Sequence, residues 1–149
     1  MIDLRSDTVT KPTPAMLQAM SSASVGDDVF KEDPSVTELE EFTANLLGHE
    51  AALFCPSGTM SNQIGIRAHT SPADEMICEE SCHVFNWEGA GPAALSGISC
   101  KTIRGREGVL EVADLVEAIR PPNDHYPRTR ILAIENTHNR QGGKVQPLK

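Results

Sequence analysis

Residues 53–62 read LFCPSGTMSN, and they decide the fold class because they join two different patterns of apolar residues. The segment EAALFC, residues 50–55, is a short apolar run that predicts a buried strand, whereas TMSNQIGIRAHT, residues 59–70, predicts a helix. A strand that passes into a helix is the repeating unit of α/β proteins. The Ser57–Gly58 pair between them raises the question of what occupies the space beside a glycine at this turn.

The same alternation continues along the chain. Strands are predicted at DEMICEE, ISCKTIRG and RILAIENTHN, and helices are predicted at HVFNWEGAGPAALSG and at residues 113–120. This spacing predicts an α/β domain with a mostly parallel sheet, in which ligands gather beyond the carboxyl ends of the strands. About four strands are present, so the last one is expected to lack a neighbour on one side.

The N-terminal part is predicted to be helical in two places. Thr13 is expected to cap a short helix over residues 14–20, because Pro14 then occupies the first helical position. Ser35 and Glu38 have the spacing of a capping box, which predicts a second helix that ends at Gly48. The segment between the two helices, rich in Gly and Asp, is expected to be a loop.

Composition excludes several classes of function. The chain has 149 residues, 39% hydrophobic and 23% charged, which is typical of one folded globular domain. A net charge of -8 disfavours nucleic acid as a partner. No apolar run reaches the roughly 20 residues that span a bilayer. Four cysteines without the density of a disulfide scaffold favour a reducing compartment, so we expect a cytoplasmic protein, with an organelle matrix as the alternative.

The turn formed by Ser57, Gly58 and Thr59 has the chemistry of a phosphate site. The first N–H groups of a helix have no intrahelical acceptor, Gly58 lets a ligand approach the backbone, and the two hydroxyl groups add donors. The spacing lacks the glycine-rich loop and the Lys-Ser/Thr pair of the nucleotide P-loop, so one small phosphate fits better than a triphosphate. The alternative is an ordinary turn between a strand and a helix.

His83 follows the next predicted strand and is therefore expected at the same edge of the sheet as Gly58. An imidazole there can stack on a flat ring or move a proton near neutral pH. The alternative is a histidine that caps the following helix. Cys78, Cys82 and His83 lack a second pair of ligands, so we expect no metal site.

Two further groups are candidates. His125, in the loop before the last strand, is a candidate general base or a solvated loop residue. Glu135, Asn136 and His138 follow that strand, where they either contact a ligand or serve the turn itself.

Several motifs, taken together, resemble a known family. IDLRSDTVTKPTPAML, VGDDVF, DPSVTELE, EAALFCPSGTMSN, HVFNWEGAGPA and ENTHNRQGGKV occur in the order found in the first half of the threonine aldolases. These are lyases that depend on pyridoxal phosphate and share the aspartate aminotransferase fold type. The resemblance implies that residues 1–149 form the N-terminal part of the large domain of fold type I, with helices on both faces of the sheet. Within it we expect an arm, short helix and loop over residues 1–34 and an α/β portion over residues 35–149.

The resemblance also implies roles for individual residues. Ser57, Gly58 and Thr59 match the turn that binds the cofactor phosphate, and His83 matches the ring stacked on its pyridine. Ser6 matches a serine near the substrate carboxylate, and His125 matches a histidine near the substrate β-hydroxyl. The implied catalytic residues are His83 and His125. The implied reaction is retro-aldol cleavage of L-threonine or allo-threonine to glycine and acetaldehyde, a step of threonine catabolism and glycine biosynthesis.

The chain departs from the family in two ways. Phe30 stands where many relatives have tyrosine. The family's Schiff-base lysine, its pyridine-binding aspartate and two arginines lie beyond the position that matches Lys149, and none of the five lysines stands in the Schiff-base motif. We therefore expect this chain alone to be inactive or nearly so. The resemblance implies a homo-oligomer. The alternative function is that of an inactive short paralogue that pairs with a full-length homologue, and a third alternative keeps the fold type but carries out the reaction of another β-eliminating lyase.

Overall fold

The computed structural model describes residues 2–147, except for the side chain of Asp7. The chain divides into two compact units, residues 1–54 and residues 55–149, and each is described by itself. The expected boundary within residues 1–149 lies after residue 34, whereas the two compact units are divided after residue 54. Compact units are not the same as domains, so the expected boundary stays a prediction. Within the described range, every helix is too short or too polar to cross a bilayer.

The first unit contains two helices, α1 (Pro14–Ser22) and α2 (Pro34–Leu47), with 3-10 turns at Asp7–Val9 and Asp28–Phe30. The Thr13 side chain accepts the Met16 N–H, which confirms the predicted cap of α1. Gly48 ends α2 with a φ of 69°, also as predicted. A glycine adopts this left-handed conformation without the strain of a side chain.

The predicted capping box of α2 is wrong. The helix begins one residue earlier than Ser35, and its cap is Asp33, whose carboxylate accepts the N–H groups of Ser35 and Val36 at 2.9 and 3.0 Å. Pro34 then takes the first helical position, where its missing N–H costs nothing. The Ser35 hydroxyl instead donates to the Ser24 carbonyl.

The strand predicted at residues 50–55 is also wrong. Residues 51–57 form no strand, and Leu53 and Phe54 are 62% and 47% exposed. A strand exists only where a neighbour completes its hydrogen-bond ladder, and the described residues supply none here. Apolar composition alone could not reveal that a partner was lacking.

The second unit contains a sheet of three strands, β1 (Asp74–Glu79), β2 (Ser99–Ile103) and β3 (Arg128–Ala133), in the order β2-β1-β3. Both pairings are parallel, as predicted. Between β1 and β3 the pairing passes from Glu75↔Thr129 to Met76↔Ile131, so Arg130 forms a bulge. Among the described residues β3 is an edge strand, which confirms the prediction that the last strand has a neighbour on one side only.

The helices of this unit are α3 (Gly58–His69), α4 (His83–Asn86), α5 (Gly91–Ser96) and α6 (Val112–Ala118), and a 3-10 turn spans Asn139–Gln141. Ile66 of α3 packs with Met76 and Cys78 on one face of the sheet. On the other face, Leu115 and Ile119 at α6 lie beside Ile77. Helices therefore cover both faces of a parallel sheet, and the α/β prediction is confirmed.

The central strand β1 is buried at all six positions although three of its residues are acidic. The single Nε–H of Arg120 is shared between the two Glu75 carboxylate oxygens, each at 2.9 Å, and the Thr129 hydroxyl donates to Glu75 at 3.2 Å. Asp74 pairs with Arg128 at 3.0 Å, and this guanidinium lowers the pKa of the Asp74 carboxyl. These pairs tie the loop after α6 and the start of β3 to the central strand.

Replacing Arg120 by Met is expected to destabilise the fold, because the Glu75 carboxylate would remain buried without its charged partner. Loss of one member of a buried pair costs about 3–5 kcal/mol. Arg104→Met is the matched control, since Arg104 and Glu80 are exposed and 3.6 Å apart, and such pairs contribute about 1 kcal/mol or less. Urea unfolding measures both, and equal small losses would contradict the role of the Arg120–Glu75 pair.

Candidate active site

A pocket of about 300 Å³ lies where β1 and β3 end, in the second unit. Parallel strands present their carboxyl ends at one edge of the sheet, and the loops that follow them converge there. The lining includes residues from α3, from the start of α4 and from the loop after β3: Asn62, Ile66, Cys82, His83, Glu135 and Asn136. This is the edge at which the sequence predicted a ligand site.

The turn at Ser57, Gly58 and Thr59 forms the N-terminus of α3. The Ser57 hydroxyl accepts the Met60 N–H at 3.1 Å, which leaves the N–H groups of Gly58 and Thr59 without an intrahelical acceptor. A Cβ atom built on Gly58 would meet no atom within 4 Å. The turn therefore offers two free backbone donors and open space beside the glycine, as a small anion requires.

His83 is the first residue of α4, and its side chain is 47% exposed at the pocket. Its backbone N–H donates to Glu135 Oε2 at 2.6 Å, and its ring Nδ1 lies 3.0 Å from Glu88 Oε1. The helix-capping alternative is wrong, because the N-cap of α4 is Cys82, whose side chain makes no capping hydrogen bond. The His83 ring instead pairs with Glu88, and His83 lines the pocket.

Glu88 was not predicted as a site residue. Its side chain is fully buried, and its two carboxylate oxygens accept hydrogen bonds of 2.7 Å from the side-chain amides of Asn62 and Gln63. The sequence carried one weak signal, an acid between Trp87 and Gly89 in a segment that was otherwise expected to be a helix interrupted by glycines. Nothing in that pattern revealed that α3 would supply two donors, which lie 26 and 25 residues before Glu88.

The residues after β3 divide into two groups. Glu135 and Asn136 line the pocket, and Glu135 Oε1 also accepts the Asn139 N–H at 2.9 Å. His138 is only 1% exposed, and its Nε2 lies 2.9 Å from Glu79 Oε2. His138 therefore serves the structure, whereas the position of Glu135 and Asn136 suits contact with a ligand.

Glu79, at the end of β1, has a lowered pKa. Burial acts to raise the pKa of Glu79, but hydrogen bonds from the Ser81 hydroxyl and backbone N–H and from His138 outweigh it. Its second oxygen also accepts the Gly105 N–H at 3.3 Å. The ionised carboxylate thus joins the loops after β1, β2 and β3.

Three of the four cysteines, Cys78, Cys82 and Cys100, pack together in the core of the second unit. Contact with Cys100 and Cys82, followed by burial, raises the pKa of the Cys78 thiol, and the Cys78 hydrogen bond lowers the pKa values of Cys82 and Cys100. In the part of the chain that the structure describes, no group of three or more His, Cys, Asp and Glu side chains is arranged to hold a metal ion.

The structure does not bring His125 together with His83. His125 precedes β3 and lines an open depression with Ala73 and Ser99, which lie at the starts of β1 and β2. His83 thus lies at the carboxyl ends of the strands and His125 at their amino ends. The two ends are separated by the length of a six-residue strand, about 20 Å.

Ser6 belongs to the first unit, where its hydroxyl accepts hydrogen bonds from the Thr8 N–H at 3.3 Å and from the Thr8 hydroxyl at 3.0 Å. Its proposed contact with a substrate carboxylate stays a prediction.

The second unit thus has the features of a ligand-binding α/β protein: a parallel sheet, a phosphate-type turn and a pocket with an imidazole at the carboxyl edge. A sequence profile described as beta-eliminating lyase matches residues 3–149, and the chain belongs to this family. Members of the family depend in general on pyridoxal phosphate.

Curated relatives agree with the resemblance seen in the sequence. The chain is 43% identical to the low specificity L-threonine aldolase of Escherichia coli K12 over a match of 148 residues. This match covers 99% of this chain and 44% of that protein. It is 44% identical over 147 residues to low-specificity L-threonine aldolase 1 of Arabidopsis thaliana, with 96% and 41% covered. For the low specificity L-threonine aldolase of Saccharomyces cerevisiae the identity is 40% over 151 residues, with 99% and 38% covered. The chain therefore spans about two fifths of the length of these relatives.

Glu79→Gln is expected to lower the free energy of unfolding at pH 7 by about 1–3 kcal/mol, because buried donors lose an ionised acceptor. The folded pKa of Glu79 lies below the ordinary value of 4.5, so the unfolded state binds its proton first as the pH falls. The stabilisation is therefore complete above that value and is lost as the pH falls through the folded pKa. Urea unfolding over a pH series should show a flatter acid limb for Glu79→Gln.

The control for this prediction is Glu107→Gln, which removes an exposed carboxylate paired with Lys144. The Lys144 ammonium lowers the pKa of Glu107, but solvent screens this surface pair, so little change is expected. An acid limb that is unchanged in Glu79→Gln would contradict the assignment.

Proposed function

We propose that this chain is the N-terminal part of a threonine aldolase-type lyase that uses pyridoxal phosphate and cleaves L-threonine or allo-threonine to glycine and acetaldehyde. The observation that carries the proposal is the site itself. In one compact unit, α3 carries the free donors of its first turn at Ser57–Thr59, and Asn62, further along the same helix, lines the pocket with the half-exposed His83. Ser57 and Thr59 themselves line a separate groove on α3 with Gln63 and Leu95. The identity of 38–44% to named threonine aldolases supports the choice of reaction.

The residues present fit the cofactor. A phosphate carries negative charge and needs several N–H or O–H donors, and the N-terminus of α3 supplies free backbone N–H groups with the positive end of a helix dipole. The space beside Gly58 is open. In this proposal Ser57, Gly58 and Thr59 hold the phosphate, and the His83 ring stacks on the pyridine.

Pyridoxal phosphate, when bound, supplies an electron-withdrawing ring that stabilises the negative charge left on Cα as the Cα–Cβ bond breaks. In this proposal the chain's own residues bind the cofactor and the substrate and orient them. The Ser57–Thr59 turn fixes one end of the cofactor, His83 fixes the plane of its ring, and Ser6 is proposed to bind the substrate carboxylate. The apolar wall that Ile66 contributes to the pocket excludes water on one side.

The proton of the substrate β-hydroxyl must be removed for the bond to break. His83 and His125 are the proposed acceptors. Because His125 lies at the amino edge of its own sheet, it can act at this pocket only from a second chain. The proposal therefore includes a homo-oligomer in which one chain contributes His125 to its neighbour.

A second candidate function is that of an inactive partner subunit of a full-length homologue. The observation in its favour is the open edge of β3, where Leu132 is 40% exposed and neighbouring Ile134 is 49% exposed. A mixed complex of this chain with a full-length relative distinguishes this candidate from the first. For either candidate the proposed compartment is the cytoplasm, in keeping with four free cysteines.

Phosphate recognition is tested with Gly58→Leu. A leucine side chain at this position fills the open space without a clash in the protein, so it should block the phosphate and leave the fold intact. Calorimetry should show pyridoxal phosphate binding more tightly than pyridoxal to the unmodified chain, with a loss of about tenfold or more in Gly58→Leu, equivalent to about 1.4 kcal/mol or one hydrogen bond to a charged group.

Gly65→Leu provides the matched control, because Gly65 lies in the same helix, is exposed and also has nothing within 4 Å of a built Cβ. Its affinity for pyridoxal phosphate should equal that of the unmodified chain. Equal binding of pyridoxal and pyridoxal phosphate, or equal losses in the two variants, would sink the assignment of the phosphate site.

The purified chain with pyridoxal phosphate and L-threonine is expected to release no acetaldehyde above a protein-free control. A lysine that bonds covalently to the cofactor must be free and close to it, but Lys101 Nζ donates to the Ala118 carbonyl and Lys144 pairs with Glu107. Borohydride reduction followed by intact-mass measurement checks this. One stoichiometric adduct at a single lysine, together with released acetaldehyde, would show that the chain is active alone.

A further inference from the structure

We propose that Glu88 is a positioning residue that holds the His83 ring in the Nδ1–H tautomer, so that the His83 Nε2 lone pair is left to accept a proton or a hydrogen bond from a ligand hydroxyl in the pocket. This inference deepens the proposed function, since it assigns what the imidazole presents to a hydroxylated amino acid. It concerns the chain's own side chains, so it is testable without cofactor or substrate.

The first step is the state of the Glu88 carboxylate. Its side chain is fully buried, and three side-chain nitrogens lie at hydrogen-bond distance: the amide donors Asn62 Nδ2 and Gln63 Nε2, each at 2.7 Å, and the ring nitrogen His83 Nδ1 at 3.0 Å. Amide NH₂ groups donate and never accept. Both oxygens of Glu88 are therefore used as acceptors, which is what an ionised carboxylate provides and a protonated carboxyl does only in part.

The second step is the tautomer of His83. Neutral imidazole carries its proton on one nitrogen and a lone pair on the other. Glu88 Oε1 accepts from Asn62 and faces the His83 ring, so the hydrogen on Nδ1 must point at the carboxylate. The lone pair then lies on Nε2, for which the described residues supply no hydrogen-bond partner. A carboxylate fixes a catalytic imidazole in the same way in serine hydrolases.

The third step is what holds Glu88 itself. Asn62 and Gln63 are adjacent residues of α3, and they hold the two carboxylate oxygens separately. A Cβ atom at Gly91 would lie 2.5 Å from Gln63 Cδ, so α5 closes on the Gln63 amide and leaves it little room to rotate. The carboxylate is thus fixed by α3 and α5 and cannot follow the His83 ring if the ring turns.

The direct test is ¹⁵N NMR of the unmodified chain labelled at histidine, without cofactor, with the His83 signals identified by their loss in His83→Asn. The expected spectrum shows a protonated Nδ1 and an unprotonated Nε2 for His83 at neutral pH. A protonated Nε2 with an unprotonated Nδ1 would overturn the proposal. Because no ligand is present, this outcome is independent of whether the chain binds pyridoxal phosphate.

The variant test compares Glu88→Ala with Glu135→Gln. Glu88→Ala removes the ring's acceptor, and the His83 signals should move toward the Nε2–H tautomer. Glu135 contacts the His83 backbone and not its ring, so Glu135→Gln should leave the tautomer unchanged. The same Nδ1–H tautomer in a folded Glu88→Ala chain would show that Glu88 does not set it, and equal shifts in both variants would point to a general loosening of α4.

Should Glu88→Ala fail to give a dispersed spectrum, the partner is identified in the unmodified chain. A nuclear Overhauser effect between the His83 Hδ1 proton and the Glu88 γ-protons is then expected. Its absence, with the Hδ1 signal observed, would overturn the pairing.

Discussion

The structure of the second unit depends on the burial of charge in its central strand. β1 is covered on both faces and along both sides, and three of its six residues are acids. A carboxylate in such a place is stable only with donors at hand. Asp74 pairs with Arg128 of β3, and Glu75 pairs with Arg120 of the loop after α6. Glu79 pairs with His138. The strand therefore dictates where its neighbours stand.

The two ends of β1 use this constraint differently. At the amino end, guanidinium groups neutralise Asp74 and Glu75, and the result is a closed structural pairing. At the carboxyl end, Glu79 is held by neutral donors and by an imidazole, and the loops that supply them also place Glu135 beside His83. Nearby, Glu88 is held by two amides and an imidazole. At the carboxyl ends of the strands, the buried carboxylates Glu79 and Glu88 are therefore held by hydroxyl, amide and imidazole groups rather than by guanidinium groups.

Several helices and strands were predicted well from the sequence because their signals are local. The apolar run of β1, the helical spacing of α2 and the Ser-Gly turn before α3 each lie within about a dozen residues. Long-range pairings left no comparable signal. Residues 50–55 have the composition of a strand, but the described residues supply no neighbouring strand to pair with them. Glu88 lies in a segment typical of a turn, yet its carboxylate accepts hydrogen bonds from two side chains of α3. His125 was correctly seen as a loop residue, and only the strand order shows which edge of the sheet that loop occupies.

The bulge at Arg130 has a consequence for the exposed side of β3. Thr129 and Ile131 face opposite sides of the sheet although they are two residues apart, so the spacing of N–H and C=O groups along the free edge is irregular. A regular edge is a template on which any extended peptide can dock, and aggregation often starts there. An irregular edge accepts only a strand with a compensating irregularity of its own. The bulge therefore makes the described free side of β3 a poorer template for other chains than a regular strand would be.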